Sequence, residues 1–261
     1  MMKILIADAD IKTRSQLESA VTKARSDSQV SFVDTGRDLV SKLNDQQWDA
    51  VFIDTVLPRT DAEKIKNILG LVAISNKTRI VLLSEKLRKN WIYIASRLNA
   101  YEFLLKQYKQ ENIIRLLEST ANVNRQKNIL IIEYSAQLRN IYKTVIENSA
   151  IDANIVEAAS ARRALLTLSK QEFDFVILSS NLNDMPALEA ACQISSKYED
   201  KLPIIFIDDN FKTESQQLQQ FGIKSIVKQK FGAFDVNFSI HEALGIWKPY
   251  LYNAIRREGA G

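Results

Sequence analysis

The chain has 261 residues, of which 46% are hydrophobic and 25% charged; these values are typical of globular proteins, and the length predicts about two domains. The single cysteine and single histidine, Cys192 and His241, exclude an internal disulfide and a His/Cys zinc site and argue against Cys–His catalysis. The formal net charge of +4 comes without a segment that interleaves basic and aromatic residues, so nucleic acid is not an expected partner. No apolar run reaches the roughly 18 residues of a membrane span and no signal-peptide pattern follows Met1, so we expect a cytoplasmic protein without a membrane partner.

Four short apolar runs occur in the same order in both halves of the chain. The first two recur at an offset of 125 residues, and the third recurs one residue short of that offset. Four matched landmarks in order predict two copies of one domain. The runs are 3–8, 48–54, 80–84 and 103–107 in the first copy, and 128–133, 173–179, 204–208 and 225–229 in the second.

The runs predict strands, and the segments between them predict helices. Each run is rich in Ile, Val and Leu without alternation, which is typical of a strand buried on both faces of a parallel sheet. Asp10 is a candidate N-cap for the first helix. Alternating strand and helix predict an α/β fold with a parallel sheet in each copy. The helical patterns cover 11–25, 37–47, 87–98, 110–121 and 136–148.

The best boundary between the copies is the polar stretch 121–127, which could equally be the end of a helix that runs into the second copy. Residues 236–247 predict the last helix of the second copy, packed on its own sheet. A signalling helix that leads to an output module is the alternative for this region. We expect domains at 1–122 and 127–247, followed by a C-terminal helical tail at 248–261.

Polar residues end the four apolar runs of the first copy: Asp8, Asp54, Ser84 and Lys106. In open α/β sheets, ligands bind outside the carboxyl ends of the strands. Carboxylates there can hold a hard cation such as Mg²⁺, and one of them can act as a nucleophile toward a phosphoryl group. The hydroxyl and the ammonium group can then bind the phosphoryl oxygens. The four residues together favour a functional site over ordinary polar strand ends.

Two segments carry a resemblance to a known family. The segment 54–62, Asp-Thr-Val-Leu-Pro-Arg-Thr-Asp-Ala, is similar to the pattern D-x-x-M-P-x-M-D-G of receiver domains in two-component response regulators. The segment 99–106 resembles the family pattern G-A-x-x-Y-L-x-K. The resemblance implies two flavodoxin-like (βα)5 receiver domains in tandem, each with a doubly wound five-stranded parallel sheet.

The resemblance also implies a role for each residue at the strand ends. Asp54 would accept a phosphoryl group from a sensor histidine kinase or a phosphotransfer protein, and Lys106 would contact the aspartyl phosphate. Ser84 would donate its hydroxyl to the phosphoryl group, while the switch residue Phe103 would turn from solvent toward the core. Mg²⁺ would be bound by Asp8, Asp54 and the main-chain carbonyl of Val56.

The first copy departs from the family pattern at two positions. Receivers usually carry two adjacent acidic residues after the first strand, and here the pair is Asp8-Ala9. Asp10 could replace the missing Mg²⁺ ligand or could cap the following helix. With fewer carboxylates we expect weaker Mg²⁺ binding. Gln107 stands where the family has proline, so a cis peptide bond after Lys106 would be strained.

The second copy departs further and resembles a degenerate pseudo-receiver. Its equivalents of the site residues are Glu133, Ser179, Asp208 and, if the preceding loop is one residue shorter, Lys228. Serine is a poor phosphoacceptor in such a site, and a carboxylate at 208 would repel a phosphoryl group. Ser225 stands at the switch position. We expect this domain to serve in dimerisation, docking or signal transfer.

We therefore predict a response regulator that is phosphorylated on Asp54 and signals through domain rearrangement or homodimerisation to a downstream effector domain or protein. The chain itself is not expected to be an enzyme, because no output domain follows the second copy within these residues. A phosphorylation-independent scaffold and the regulatory half of a diguanylate cyclase are the alternatives. An enzyme with a phosphate-binding loop is disfavoured by the low glycine content.

One surface of the first copy is a candidate contact patch. Residues 87–98 combine aromatic and basic side chains: Arg88, Lys89, Trp91, Tyr93 and Arg97. The inward turn of Phe103 would reshape the face formed by residues 87–98 and 106–121, and this face would meet the second receiver or another copy of the chain. Alternatively, Trp91 and Tyr93 are covered within their own domain.

Overall fold

A computed structural model describes residues 1–58, 67, 74–75, 77–86, 92–93, 95, 98–149, 151–199, 201–208, 218–247, 249 and 251. The chain forms two compact units. Unit 1 combines Met1–Asn124 with the C-terminal segment that begins at Trp247, and unit 2 is Arg125–Ile246. Within the described residues, no helix is both long and apolar enough to cross a bilayer.

Unit 1 contains a sheet of five parallel strands in the order β2-β1-β3-β4-β5. The described elements are β1 (Lys3–Ala7), α1 (Ile11–Ala24), β2 (Gln29–Val33), α2 (Gly36–Asp45), β3 (Ala50–Asp54), β4 (Arg79–Ser84), β5 (Glu102–Leu105) and α3 (Gln110–Asn124).

Unit 2 repeats this topology, with its strands in the order β10-β9-β8-β6-β7. Its described elements are β6 (Lys127–Ile132), α4 (Ala136–Glu147), β7 (Ala153–Ala158), α5 (Ala161–Leu168), β8 (Phe175–Ser179), α6 (Ala187–Lys197), β9 (Ile204–Ile207), β10 (Ile223–Val227) and α7 (Ala233–Ala243). The prediction of two doubly wound parallel sheets is confirmed. The helix before the boundary extends to Asn124, so the polar stretch 121–127 is partly helical.

The central strands of each sheet are buried on both faces, which explains their unbroken apolar runs. Every residue of β3, β4 and β8 is buried. The helices begin where a short polar side chain can cap the free amides. Asp10, Thr35, Ser135 and Ser160 each accept a hydrogen bond from a main-chain amide two or three residues further on.

The chain leaves unit 2 directly after α7. Gly245 adopts a φ of 61°, a left-handed conformation that glycine takes without strain, and the amide of Ile246 donates to the carbonyl of His241. Trp247 then belongs to unit 1. The predicted domain boundaries differ from the structure here, since they placed Trp247 in the second domain.

Candidate functional site

The carboxyl ends of the unit 1 strands bring together the residues that the sequence singled out. Asp8 follows β1, Asp54 ends the adjacent strand β3, and Ser84 ends β4. Lys106 follows β5, and its amide donates to the carbonyl of Ser84. Parallel strands place these four residues at one edge of the sheet.

Lys106 joins the two acidic residues of this edge. Its Nζ lies 2.7 Å from Asp54 Oδ2 and 2.9 Å from Asp8 Oδ2. The side chain of Asp8 is fully buried, and those of Asp54 and Lys106 are 10% and 15% exposed. The ammonium group therefore balances two carboxylates in a site that little water reaches.

The charges of this cluster shift the pKa values of its members. Burial raises the pKa of Asp8 above its ordinary value of 3.8, and the nearby charge of Asp54 adds to this, although the contact with Lys106 acts in the opposite direction. Burial alone would lower the pKa of Lys106, but its contacts with Asp54 and Asp8 together outweigh it and raise that pKa. Lys106 therefore stays protonated at neutral pH.

Asp54 is oriented by the loop that follows it. The amide of Val56 donates to Asp54 Oδ1 at 3.0 Å, and the other carboxylate oxygen binds Lys106. Val56 is 68% exposed, so the chain beside the carboxylate is open to a reacting partner. The Thr55 amide is tied to the carbonyl of Leu83 on the neighbouring strand, which holds this turn to the sheet.

Ser84 and Phe103 occupy the two predicted switch positions. Ser84 Oγ donates to the carbonyl of Lys86 at 3.0 Å. Phe103 is only 5% exposed and lies in the buried core of unit 1. This differs from the expectation that the Phe103 ring starts in solvent, since the ring is buried in the core of unit 1.

Asp10 caps α1. Its carboxylate accepts hydrogen bonds from the amides of Lys12 and Thr13 and from the Thr13 hydroxyl. The hydrogen bond from the Thr13 hydroxyl, followed by those from the two amides, lowers the pKa of Asp10. The capping alternative is therefore the one that the structure displays, with both carboxylate oxygens of Asp10 bonded to the first turn of α1.

Tyr108 is a member of this site that the sequence did not single out. Its hydroxyl is buried and has no hydrogen-bond partner within the described residues. Burial, followed by the charge of Asp8, raises the pKa of Tyr108 to about 12. Its place in the sequence, two residues after Lys106, could have identified Tyr108 as a neighbour of the site. The peptide bond between Lys106 and Gln107 is trans, as are all peptide bonds of the described residues.

The oxygen atoms at this edge suit a hard cation, but there are few of them. Asp8 and Asp54 both contact Lys106, and Asp54 also accepts the amide of Val56. In the part of the chain that the structure describes, no three His, Cys, Asp or Glu side chains cluster as metal ligands. The donor set therefore fits Mg²⁺ with one carboxylate fewer than the family pattern implies, and Lys106 already contacts one oxygen of each carboxylate.

The equivalent edge of unit 2 has the same hydrogen bonds from main-chain amides to side chains, but not the pairs of a lysine with two carboxylates, among the described residues. Glu133 is fully buried and accepts the amide of Ser135, as Asp8 accepts the amide of Asp10. Ser179 accepts the amide of Asn181, as Asp54 accepts that of Val56. Lys228 is exposed and, among the described residues, makes no ion pair with Glu133. Asp208 follows β9 and is half-buried.

The predicted contact patch lies largely outside the described residues. Arg88, Lys89, Trp91 and Arg97 are all outside them. Tyr93 is described and is 60% exposed, so its ring is not covered within its own domain.

The sequence model of the response regulator receiver domain matches this chain twice, over residues 4–118 and 129–236. The chain belongs to the receiver family. Both matches coincide with the two sheets, so the predicted tandem of receivers is confirmed. The chain is thus built from receiver domains of the kind found in response regulators of two-component signalling.

Two curated relatives and one solved structure illustrate the family. Chemotaxis protein CheY-3 of Vibrio cholerae is 29% identical over 115 residues, which are 43% of this chain and 88% of CheY-3. Protein MrkE of Klebsiella pneumoniae is 24% identical over 127 residues, 49% of this chain, so the chain spans only 46% of the length of MrkE. A probable two-component system response regulator/GGDEF domain protein shares the fold at a TM-score of 0.63 and 17% identity, covering 94% of this receiver pair and 98% of that structure.

Proposed function

We propose that the first receiver is phosphorylated on Asp54 and that the second receiver, which lacks the phosphoacceptor chemistry, carries the signal as a docking or dimerisation domain. The observation that supports this is the bridge from Lys106 to both Asp54 and Asp8. A fixed ammonium group beside the nucleophilic carboxylate can neutralise charge that arrives with a phosphoryl group. Asp54 Oδ1 is held by the Val56 amide, which fixes the direction of the nucleophile.

Mg²⁺ would be held by Asp8, Asp54 and the Val56 carbonyl, and it would supply charge neutralisation for the incoming phosphoryl oxygens. The protein's own residues do the rest. Lys106 pairs with the carboxylate of Asp54. Ser84 Oγ, at the end of the neighbouring strand, would donate a hydrogen bond to the phosphoryl group. Because Ala9 provides no carboxylate and Lys106 already contacts one oxygen of Asp8 and one of Asp54, the chain should bind Mg²⁺ weakly.

The phosphoryl donor would be a sensor histidine kinase or a phosphotransfer protein, as for receivers in general. The resemblance to a response regulator/GGDEF domain protein supports a role as the regulatory half of a cyclase, and a homodimer would serve that role. A phosphorylation-independent scaffold is the second candidate. The observation in its favour is unit 2, where Ser179 and the exposed Lys228 leave a receiver fold without receiver chemistry.

The test is phosphorylation of the intact chain by acetyl phosphate with Mg²⁺, followed by intact mass spectrometry. We expect one phosphoryl group on the wild type and on Ser179→Ala, and none on Asp54→Ala. Ser179→Ala is the matched control because it changes the same strand position in unit 2. Labelling that persists in Asp54→Ala, or that maps to residues 125–246, would overturn the assignment and favour the scaffold.

A further inference from the structure

Unit 1 is completed by residues that follow unit 2 in the sequence. This segment, here called the return segment, is described at Trp247, Pro249 and Leu251, and the last two are buried. Leu251 is 1% exposed and lies in the same buried cluster as Phe103, Leu82 and Ile53. A leucine buried to this degree is part of the core of the first receiver.

Trp247 is held to the first receiver by three contacts. Its main-chain amide donates to Ser119 Oγ at 2.8 Å, and its indole Nε1 donates to Glu102 Oε2 at 2.7 Å. The guanidinium of Arg115 lies 5.5 Å from the centre of the ring, within cation–π range. Arg115 and Ser119 lie on α3 and Glu102 on β5, and these three residues define the β5–α3 face.

Glu102 connects the β5–α3 face to the switch residue Phe103 through hydrogen bonds. It is fully buried in the first position of β5, where a carboxylate needs hydrogen-bond donors. One oxygen accepts the amide of Phe103 at 2.7 Å, and the other accepts the indole of Trp247. The return segment therefore contacts the residue that fixes the main chain of Phe103, and through Leu251 it shares a core with the Phe103 ring.

We infer that the return segment is an intrachain ligand of the β5–α3 face and that its docking is coupled to phosphorylation of Asp54 through Phe103. The coupling rests on the proposed function; the docking does not. Leu251 of the segment packs in the same core cluster as Phe103, so the buried ring and the docked segment favour each other. If phosphorylation also favours the buried ring, it must strengthen docking, and docking must strengthen phosphoryl binding by the same factor. Any other partner of this face would have to displace the segment.

Docking is tested by hydrogen–deuterium exchange on the intact, unphosphorylated chain. We expect slow exchange at the amides of Trp247 and Phe103, because both donate to buried or partly buried acceptors. Trp247→Ala should speed exchange at both amides by about tenfold or more. Leu166→Ala is the control, since Leu166 is 64% exposed in unit 2 and its loss should change neither amide. Fast exchange at Trp247 in the wild type would overturn the docking.

Coupling is tested by titrating the same variants with beryllofluoride in Mg²⁺. We expect Trp247→Ala to bind it about fivefold or more weakly than the wild type and Leu166→Ala to bind it normally. Trp247→Phe keeps an aromatic ring but removes the indole N–H donor, so it is less prone to a folding defect than Trp247→Ala. Its affinity for beryllofluoride should lie between those of Trp247→Ala and the wild type. Equal binding in all variants would overturn the coupling and leave phosphorylation of Asp54 standing. Failure of the wild type to bind would overturn the proposed function and the coupling, while the exchange result would still decide the docking.

Discussion

The ammonium group of Lys106 determines the charge balance at the carboxyl edge of the unit 1 sheet, here called the acceptor edge. Asp8 and Asp54 approach the same Lys106 Nζ within 2.9 Å, so one positive charge serves two negative ones. The remaining negative charge is buried with Asp8, whose pKa is raised by burial. The excess negative charge favours a cation at this edge, and the burial of the ionised Asp8 weakens the fold.

We predict that Asp8→Asn stabilises the protein at neutral pH in metal-free buffer. The pKa of Asp8 is raised in the folded state, so above its unfolded value of 3.8 the ionised carboxylate weakens the fold, and below that value the effect disappears. Asparagine keeps an acceptor for the Asp10 amide, and Asp54 remains to pair with Lys106. The urea midpoint should therefore rise at about pH 7, and the gain should shrink as the pH falls toward about 4.

Asp27→Asn is the control, because the pKa of Asp27 is lowered in the folded protein whereas that of Asp8 is raised. The N-terminal amine donates to Asp27 and lowers its pKa, so losing this carboxylate should not stabilise the chain at any pH. An Asp8→Asn protein that is less stable than the wild type at neutral pH would show that the ion pair with Lys106 outweighs burial.

The sequence revealed the acceptor edge but not the residues that contact the return segment. Asp8, Asp54, Ser84 and Lys106 follow apolar strands, and a parallel sheet places such residues together whatever the loops do. Glu102 is a charge inside the apolar segment 101–105, and its burial in the structure requires hydrogen-bond donors. That the partner is Trp247 depends on how the chain returns to unit 1, and no local pattern encodes that path.

At the scale of elements, the prediction succeeded where strands are buried on both faces. The apolar runs located β1, β3, β4 and β5, whereas no apolar run marked the edge strand β2. Its residues Gln29–Val33 alternate in polarity and are only partly buried, so they lack a continuous apolar run. The unit 2 edge strand β7 was missed for the same reason. The last helix ends at Ala243, because Gly245 terminates it before the predicted residue 247.

Substitutions of Asp10, at the start of α1, distinguish a capping role from a metal-binding role. Asp10→Ala should lower the free energy of unfolding by about 1 kcal/mol, because three hydrogen bonds to the start of the helix are lost. Asp10→Asn keeps a capping oxygen and should be nearly neutral in stability. Mg²⁺ titration of Asp10→Asn should give the wild-type affinity, because the carboxylate is engaged with the helix.

Ser135→Ala is the matched comparison in unit 2. Ser135 caps α4 through one long hydrogen bond of 3.4 Å to the Leu138 amide, so its loss should cost less than that of Asp10. A clear loss of Mg²⁺ affinity in Asp10→Asn would instead assign Asp10 to the metal site.

At the scale of the whole molecule, the first receiver is discontinuous in sequence. Its core receives Leu251 after the chain has passed through the whole of unit 2. The stability of the first receiver therefore depends on residues that a division at the repeat boundary would remove, whereas unit 2, Arg125–Ile246, is continuous. A domain boundary derived from the repeat alone would separate the first receiver from part of its own core.

Two leucines with equal burial test this organisation. Leu251 in unit 1 and Leu218 in unit 2 are each 1% exposed and packed in the core of their unit. Leu251→Ala should destabilise the first receiver by about 2–5 kcal/mol through lost burial and a cavity, and Leu218→Ala should do the same to the second. Native-state hydrogen exchange, read separately for the amides of β3 and β8, should show faster exchange in β3 only for Leu251→Ala and in β8 only for Leu218→Ala. If Leu251→Ala accelerated exchange in β8 and spared β3, the return segment would belong to the second receiver, and the discontinuous first receiver would be wrong.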